Sequence, residues 1–296
     1  MHERAWPQYC RALLAASVKA AAKQFPGPGQ QEPERIHNVR KTLKEGRAIA
    51  RLFLRCEGES ARLTIAGLGA TRRRVGRTRD LDVMEQRLER LAPPSEIAEP
   101  LSTAIARERA AALRAHGSLA RSASRAQLNA IAKRVEAWEL KGVCEDDIVE
   151  AAARTYAQAQ RRGRLAFHSG DPVELHALRS RVVDLRYQLA ALSPAWPAAL
   201  NAQAEELNAL RDTLGSFHDL VVLTAFAAER GGLAPEALQL LEQQLVARQK
   251  KLKRRAKSEF DRLFSETQDA FAGRLSAYLK RPMEKPALAA KTQSTA

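Results

Sequence analysis

Cysteine is scarce: Cys10, Cys56 and Cys144 are the only three in 296 residues, and no two form a CxxC pair. That excludes a disulfide scaffold or a zinc ribbon and fits a reducing compartment. Aromatic residues make up 5% of the chain, which leaves little from which to build stacking platforms for single-stranded nucleic acid. No apolar run approaches the roughly 20 residues that span a bilayer. The opening stretch, Met1 to Arg11, carries His2, Glu3 and Arg4 in place of a signal-peptide core, so a soluble cytoplasmic protein is expected. β-Branched residues are sparse, and no stretch alternates apolar and polar between turn residues, so strands are not expected. A GxxxxGK[ST] loop and an acidic cluster able to hold Mg²⁺ are also missing, and phosphoryl transfer normally relies on one or the other.

What is abundant is alanine, together with apolar positions spaced i, i+3, i+4, as in Ile36, Val39 and Leu43 or Leu175, Leu178, Val182, Leu185 and Leu189. Both features favour helix, so an all-α protein is expected. At 45% hydrophobic the chain can bury a core. Lysine plus arginine exceed aspartate plus glutamate by 49 to 34, and a net charge of +15 points to a polyanionic partner. Breaks are expected at Phe25 to Gln31, Gly58, Pro93-Pro94, Ser169 to Pro172, Ser193 to Pro197 and Gly231-Gly232. Residues 283–296 read as a flexible tail.

An internal repeat organises the rest. At one constant offset His37 falls on His176, Arg40 on Arg179, Arg47 on Arg186, Gly76 on Gly215 and Asp80 on Asp219. Residues 5–143 and 144–282 are therefore expected to form two four-helix-bundle-like halves about a pseudo-twofold axis.

The repeated positions carry the charge. His37, Arg40, Lys44, Arg47 and Arg51 advance by 3, 4, 3 and 4, which at 3.6 residues per turn makes one stripe about 21 Å long, with Lys41 beside it. The second stripe holds His176, Arg179 and Arg186, with Arg181 next to it and Val183 interrupting it. Neighbouring like charges repel, so such rows gain from an anion alongside. The two histidines heading the stripes read as extra phosphate donors, or else as packing residues at the helix starts. An ordinary imidazole gains its proton only near about pH 6.5, so as donors they should make binding tighter in acid.

A second basic cluster, Thr71 to Arg79, contributes Arg72, Arg73 and Arg79 just before Asp80. Gly76 there reads as a turn between two helices and Asp80 as a cap or a partner orienting an arginine, with Arg211, Gly215, His218 and Asp219 expected to repeat the arrangement. A third run, Arg248 to Lys257, sets Lys250, Lys253, Arg254 and Lys257 on one helical face. Each basic run has a bland alternative as a solvated surface.

These segments resemble the CHAD family, the conserved histidine α-helical domain. The resemblance rests on IHNVRKTLKEGRAIARLF at 36–53, LGATRRRVGRTRDLDVM at 68–84, LHALRSRVVDLRYQLAAL at 175–192 and LRDTLGSFHDLVVL at 210–223. It implies two helical bundles around a basic central groove or pore, binding of inorganic polyphosphate, and residence at polyphosphate granules among other granule proteins. Family members commonly place two adjacent basic residues midway along the stripe; here Lys44-Glu45 and Val183-Asp184 stand there. The family's fused triphosphate-cleaving domain has no counterpart in the chain. The expected function is non-enzymatic polyphosphate binding, without cofactor or metal, ahead of a nucleic-acid backbone binder and of an enzyme acting on polyphosphate.

Overall fold

The structure, a computed structural model, describes residues 5–25, 33–74, 77–115 and 118–281. The described residues form α1 (Ala5–Gln24), α2 (Pro33–Ala50), α3 (Gly58–Arg74), α4 (Arg77–Leu91), α5 (Ser95–Ala115), α6 (Ser118–Glu136), α7 (Glu145–Ser169), α8 (Pro172–Leu192), α9 (Pro197–Arg230), α10 (Pro235–Leu263) and α11 (Gln268–Leu279). Short 3₁₀ turns follow α2 and α8, and no strand occurs among the described residues. The all-α expectation therefore holds. No helix among them is long and apolar enough to cross a membrane. Gly76 and the 283–296 tail lie outside the described residues, as does the side chain of Arg79.

Local chemistry sets the helix ends. Pro172, Pro197 and Pro235 each open a helix, where the missing N–H would have had no partner. Glu145, Asp146 and Asp147 fill the first turn of α7, facing its positive end, and the Asp147 carboxylate accepts from the Cys144 N–H at 3.0 Å. Gly170 ends α7 at φ 71°, a left-handed conformation that a side chain would disfavour. Asp171 then caps α8 by accepting from the Val173 N–H at 2.8 Å.

Two apolar cores hold the helices together, and each draws on residues from both sides of position 143. The larger runs from Trp6 and Leu14 through Leu43, Leu128 and Leu178 to Phe271 and Leu279. The Trp6 indole N–H donates to the Leu279 carbonyl at 2.9 Å and ties the two ends of the described chain together. The smaller core packs Leu81 and Leu88 of α4 and Leu101 and Ile105 of α5 against Leu220 and Leu223 of α9 and Leu241 and Leu245 of α10.

α2 and α8 lie side by side at the centre, each contributing fully buried side chains such as Val39 and Leu43, or Leu178 and Val182. Burial of each stabilises the fold by about 1.5–3 kcal/mol. A buried hydrogen bond from Gln188 Nε2 to the Ala48 carbonyl, 3.0 Å, fixes their relative height.

The expected turn at Gly215 is corrected by the structure. α9 runs unbroken from Pro197 to Arg230, over the whole stretch that the repeat pairs with α3 and α4. Gly215 stays helical. Its missing side chain makes room for a neighbour: a Cβ there would lie 3.3 Å from Arg179 Nε, tighter than ordinary contact.

Candidate functional site

A cavity of about 890 Å³ opens where α2, α4, α8 and α9 meet the end of α3. α2 presents His37, Arg40, Lys41 and Lys44 to it, and α3 presents Arg72. From α4 come Asp80, Val83, Met84, Arg87 and Arg90. α8 adds His176, Arg179, Arg186 and Tyr187, while α9 supplies Asn208, Arg211, Asp212, Gly215, Ser216, His218, Asp219 and Val222. The lining thus holds nine lysines and arginines against three aspartates.

All three aspartates are already engaged. Arg40 Nη2 donates to Asp80 Oδ1 at 3.0 Å, Arg211 pairs with Asp212 at 3.1 Å, and Arg87 reaches from α4 to Asp219 at 3.1 Å while also donating to Ser216 Oγ at 2.8 Å. Asp80 and Asp219 therefore orient arginines and do not cap helices. Lys41, Lys44, Arg72, Arg90, Arg179 and Arg186 have no ion pair with a carboxylate among the described residues. Arg72 and Arg179 each keep a buried Nε without a hydrogen-bond partner. Six cations thus face one space with no carboxylate paired to them.

The crowding shows in the titrating groups. Burial, and after it the charges of Arg179, Arg40, Arg72 and Arg211, brings the Lys44 ammonium down from 10.5 to about 7. The His176 and His218 rings lie 4.4 Å apart, centre to centre. Burial first, then His218, Arg179 and Arg72, holds His176 down at about 4, and His218 is lowered by burial and Arg179. In the free protein His176 is thus held well below the 6.5 of an ordinary imidazole. Around neutrality it is an uncharged imidazole with one N–H to donate, whereas Lys44 titrates in that range.

Ten of the residues picked out from sequence meet in this cavity: His37, Arg40, Lys41, Lys44, Arg72, His176, Arg179, Arg186, Arg211 and His218. The lower stripe does not. Arg51 Nε and Arg181 Nη2 lie 3.0 and 3.1 Å from Asp184 Oδ2, a side chain buried on α8. The Arg51 N–H is not aligned for a hydrogen bond, so that contact is an ion pair. Arg47 turns beneath Gly69 and is also drawn towards Asp184. Arg73 lines a separate cavity of about 360 Å³, which shares Arg40, Arg72, Asp80 and Met84 with the larger one. Lys250, Lys253 and Arg254 sit on α10 and line neither.

Sequence reasoning missed Arg87, Arg90 and Tyr187. A signal for the first existed: Arg87 follows Asp80 by seven residues, two helical turns, and so shares its face. The Arg186 guanidinium lies 4.6 Å from the centre of the Tyr187 ring, a cation–π contact that holds it at the cavity wall. The model of one protein family, described as the CHAD domain, matches residues 12–228. No curated protein matches the chain.

Proposed function

Because the chain belongs to the CHAD family, we propose that it binds inorganic polyphosphate in the cavity between α2, α4, α8 and α9, without transforming it. The observation that carries this reading is the set of six basic side chains that face the cavity with no ion-paired carboxylate among the described residues. Polyphosphate is a flexible row of closely spaced charges, so it asks for many donors along a track and for no base-reading pocket. Arginine offers its planar fork to phosphate oxygens and lysine a point charge. Tyr187 is the one tyrosine, tryptophan or phenylalanine in the lining, and it is already engaged by Arg186, so the lining offers little of the aromatic surface on which single strands stack.

The same reading takes residues 5–143 and 144–282 as two repeats about a pseudo-twofold axis, with the cavity as the basic groove between them. Its support is that α2 and α8 open at prolines in equivalent positions, Pro33 and Pro172, and that α9 spans the positions of α3 and α4 in the same register. Work at cytoplasmic polyphosphate granules, beside other granule proteins, belongs to this proposal.

Calorimetric titration at one salt concentration with long-chain polyphosphate, orthophosphate and duplex DNA tests it. Long-chain polyphosphate should bind tightest. Lys41→Glu with Arg186→Glu should weaken it at least about tenfold and lower the slope of log affinity against log salt by about 2, one for each lost phosphate contact. The exposed pair Lys133→Glu with Arg134→Glu, on α6, should change little. Equal losses from both pairs would reduce the effect to net charge and overturn the cavity reading.

A further inference from the structure

Lys250, Lys253 and Arg254 lie on α10 outside the cavity, and their surroundings give them a separate meaning. Between Arg248 and Lys257 seven of ten residues are basic and none is acidic. α10 packs inward through Leu241, Leu245, Ala256 and Phe260, and Gln249 also turns inward, its Nε2 3.5 Å from Thr224 Oγ1. The remaining arc of three turns is cationic throughout. Arg248, Lys250, Lys251, Arg254, Arg255 and Lys257 are exposed.

Three of the seven are spoken for. Arg255 pairs with Glu259 at 2.8 Å and Lys257 with Asp261 at 2.6 Å. Lys253 places its Nζ close over Gly170, at the negative end of α7. Arg248, Lys250, Lys251 and Arg254 have no ion pair among the described residues. On an α-helix Lys250 is the neighbour of Lys253 and Arg254, and Lys251 of Arg254 and Arg255, so like charges stack with nothing between them. The arc has no aromatic side chain and no free amide, so it recognises charge alone.

We infer that the outer face of α10 is a second polyphosphate site, and that one molecule therefore bridges two polyphosphate chains. The inference rests on the reading of the cavity as the first site. Nine steps from Arg248 to Lys257 span about 14 Å, enough to follow several phosphates of an extended chain. With four unpaired cations against six in the cavity, this site is the weaker, and its log affinity falls less steeply with log salt.

The test compares the full chain with Lys250→Glu/Lys251→Glu/Arg254→Glu, and with a charge-matched control, Lys23→Glu/Lys133→Glu/Arg134→Glu, whose three exposed side chains lie on α1 and α6. Two readouts are taken: light scattering on mixing with long-chain polyphosphate, and calorimetric counting of sites with tripolyphosphate. The wild type and the control should scatter and show two classes of sites. The α10 variant should keep the tight class, lose the weak one and stop scattering. Scattering that persists in the α10 variant, or that disappears equally in the control, overturns the second site. Loss of the tight class in Lys41→Glu/Arg186→Glu reports on the cavity alone, so failure of either reading is seen separately.

Discussion

Replacing Lys44 by glutamine should remove most of the pH dependence of polyphosphate binding above neutrality. In the free cavity, burial and four arginines leave the Lys44 ammonium half-ionised at about pH 7, whereas an ordinary lysine keeps its proton to 10.5. That difference corresponds to roughly 5 kcal/mol of unfavourable energy in the charged form. A bound polyanion screens those arginines and pairs with the ammonium, so the bound state holds the proton throughout the neutral range. At pH 7.5 binding should therefore take up roughly 0.8 of a proton, and affinity should fall by up to about tenfold per pH unit between about 7.5 and 9.5. The stability of the free protein should move the other way. A lysine with a lowered value in the folded state weighs fully against folding below about pH 7, and that penalty is relieved as pH rises towards 10.5. His176, already neutral above about 4 in the free protein, contributes nothing to the stability trend in this window. Calorimetry in two buffers of different ionisation enthalpy gives the proton number directly. If Lys44→Gln took up as many protons as the wild type while His176→Gln took up fewer, the assignment to Lys44 would be wrong.

The helical class was legible in the sequence because alanine content and i, i+3, i+4 spacing are local properties that hydrogen-bonded turns satisfy by themselves. The upper stripe was legible for the same reason: His37, Arg40 and Lys44 share a helical face, and that face opens on the cavity. The lower stripe continued the pattern but met Asp184, far along the chain on α8, whose carboxylate is the counter-ion of Arg51 and Arg181. Read locally, Asp184 was a departure from a basic pair; in the fold it is the reason Arg51 and Arg181 are not available. Gly215 shows the same limit. Its repeat partner Gly76 falls between α3 and α4, which made a turn at Gly215 reasonable, yet close packing of the Arg179 guanidinium explains a glycine there without any turn. Arg87 needed tertiary structure to find Asp219, on a helix from the other half of the sequence. Charge periodicity therefore pointed to the cavity lining, and long-range ion pairs decided which of its basic side chains remain unpaired.

Two further substitutions separate packing from binding. A Cβ at Gly163 would lie 2.0 to 2.7 Å from ring carbons of Phe260, so Gly163→Ala should lower stability by about 1–3 kcal/mol in urea unfolding and leave polyphosphate affinity unchanged; an unaltered midpoint would mean that α7 and α10 can part freely. Asp184→Asn tests the lower stripe. The substitution keeps the shape but removes the carboxylate that Arg51 and Arg181 share and that Arg47 approaches, leaving partly buried guanidiniums to repel one another. Breaking a buried pair in this way costs about 3–5 kcal/mol, and affinity should not change, because none of the three arginines lines the cavity. The opposite result has an equally definite meaning. If stability were unaffected and polyphosphate bound more tightly, Asp184 would be holding those arginines back from the ligand, and the track would extend along the whole stripe.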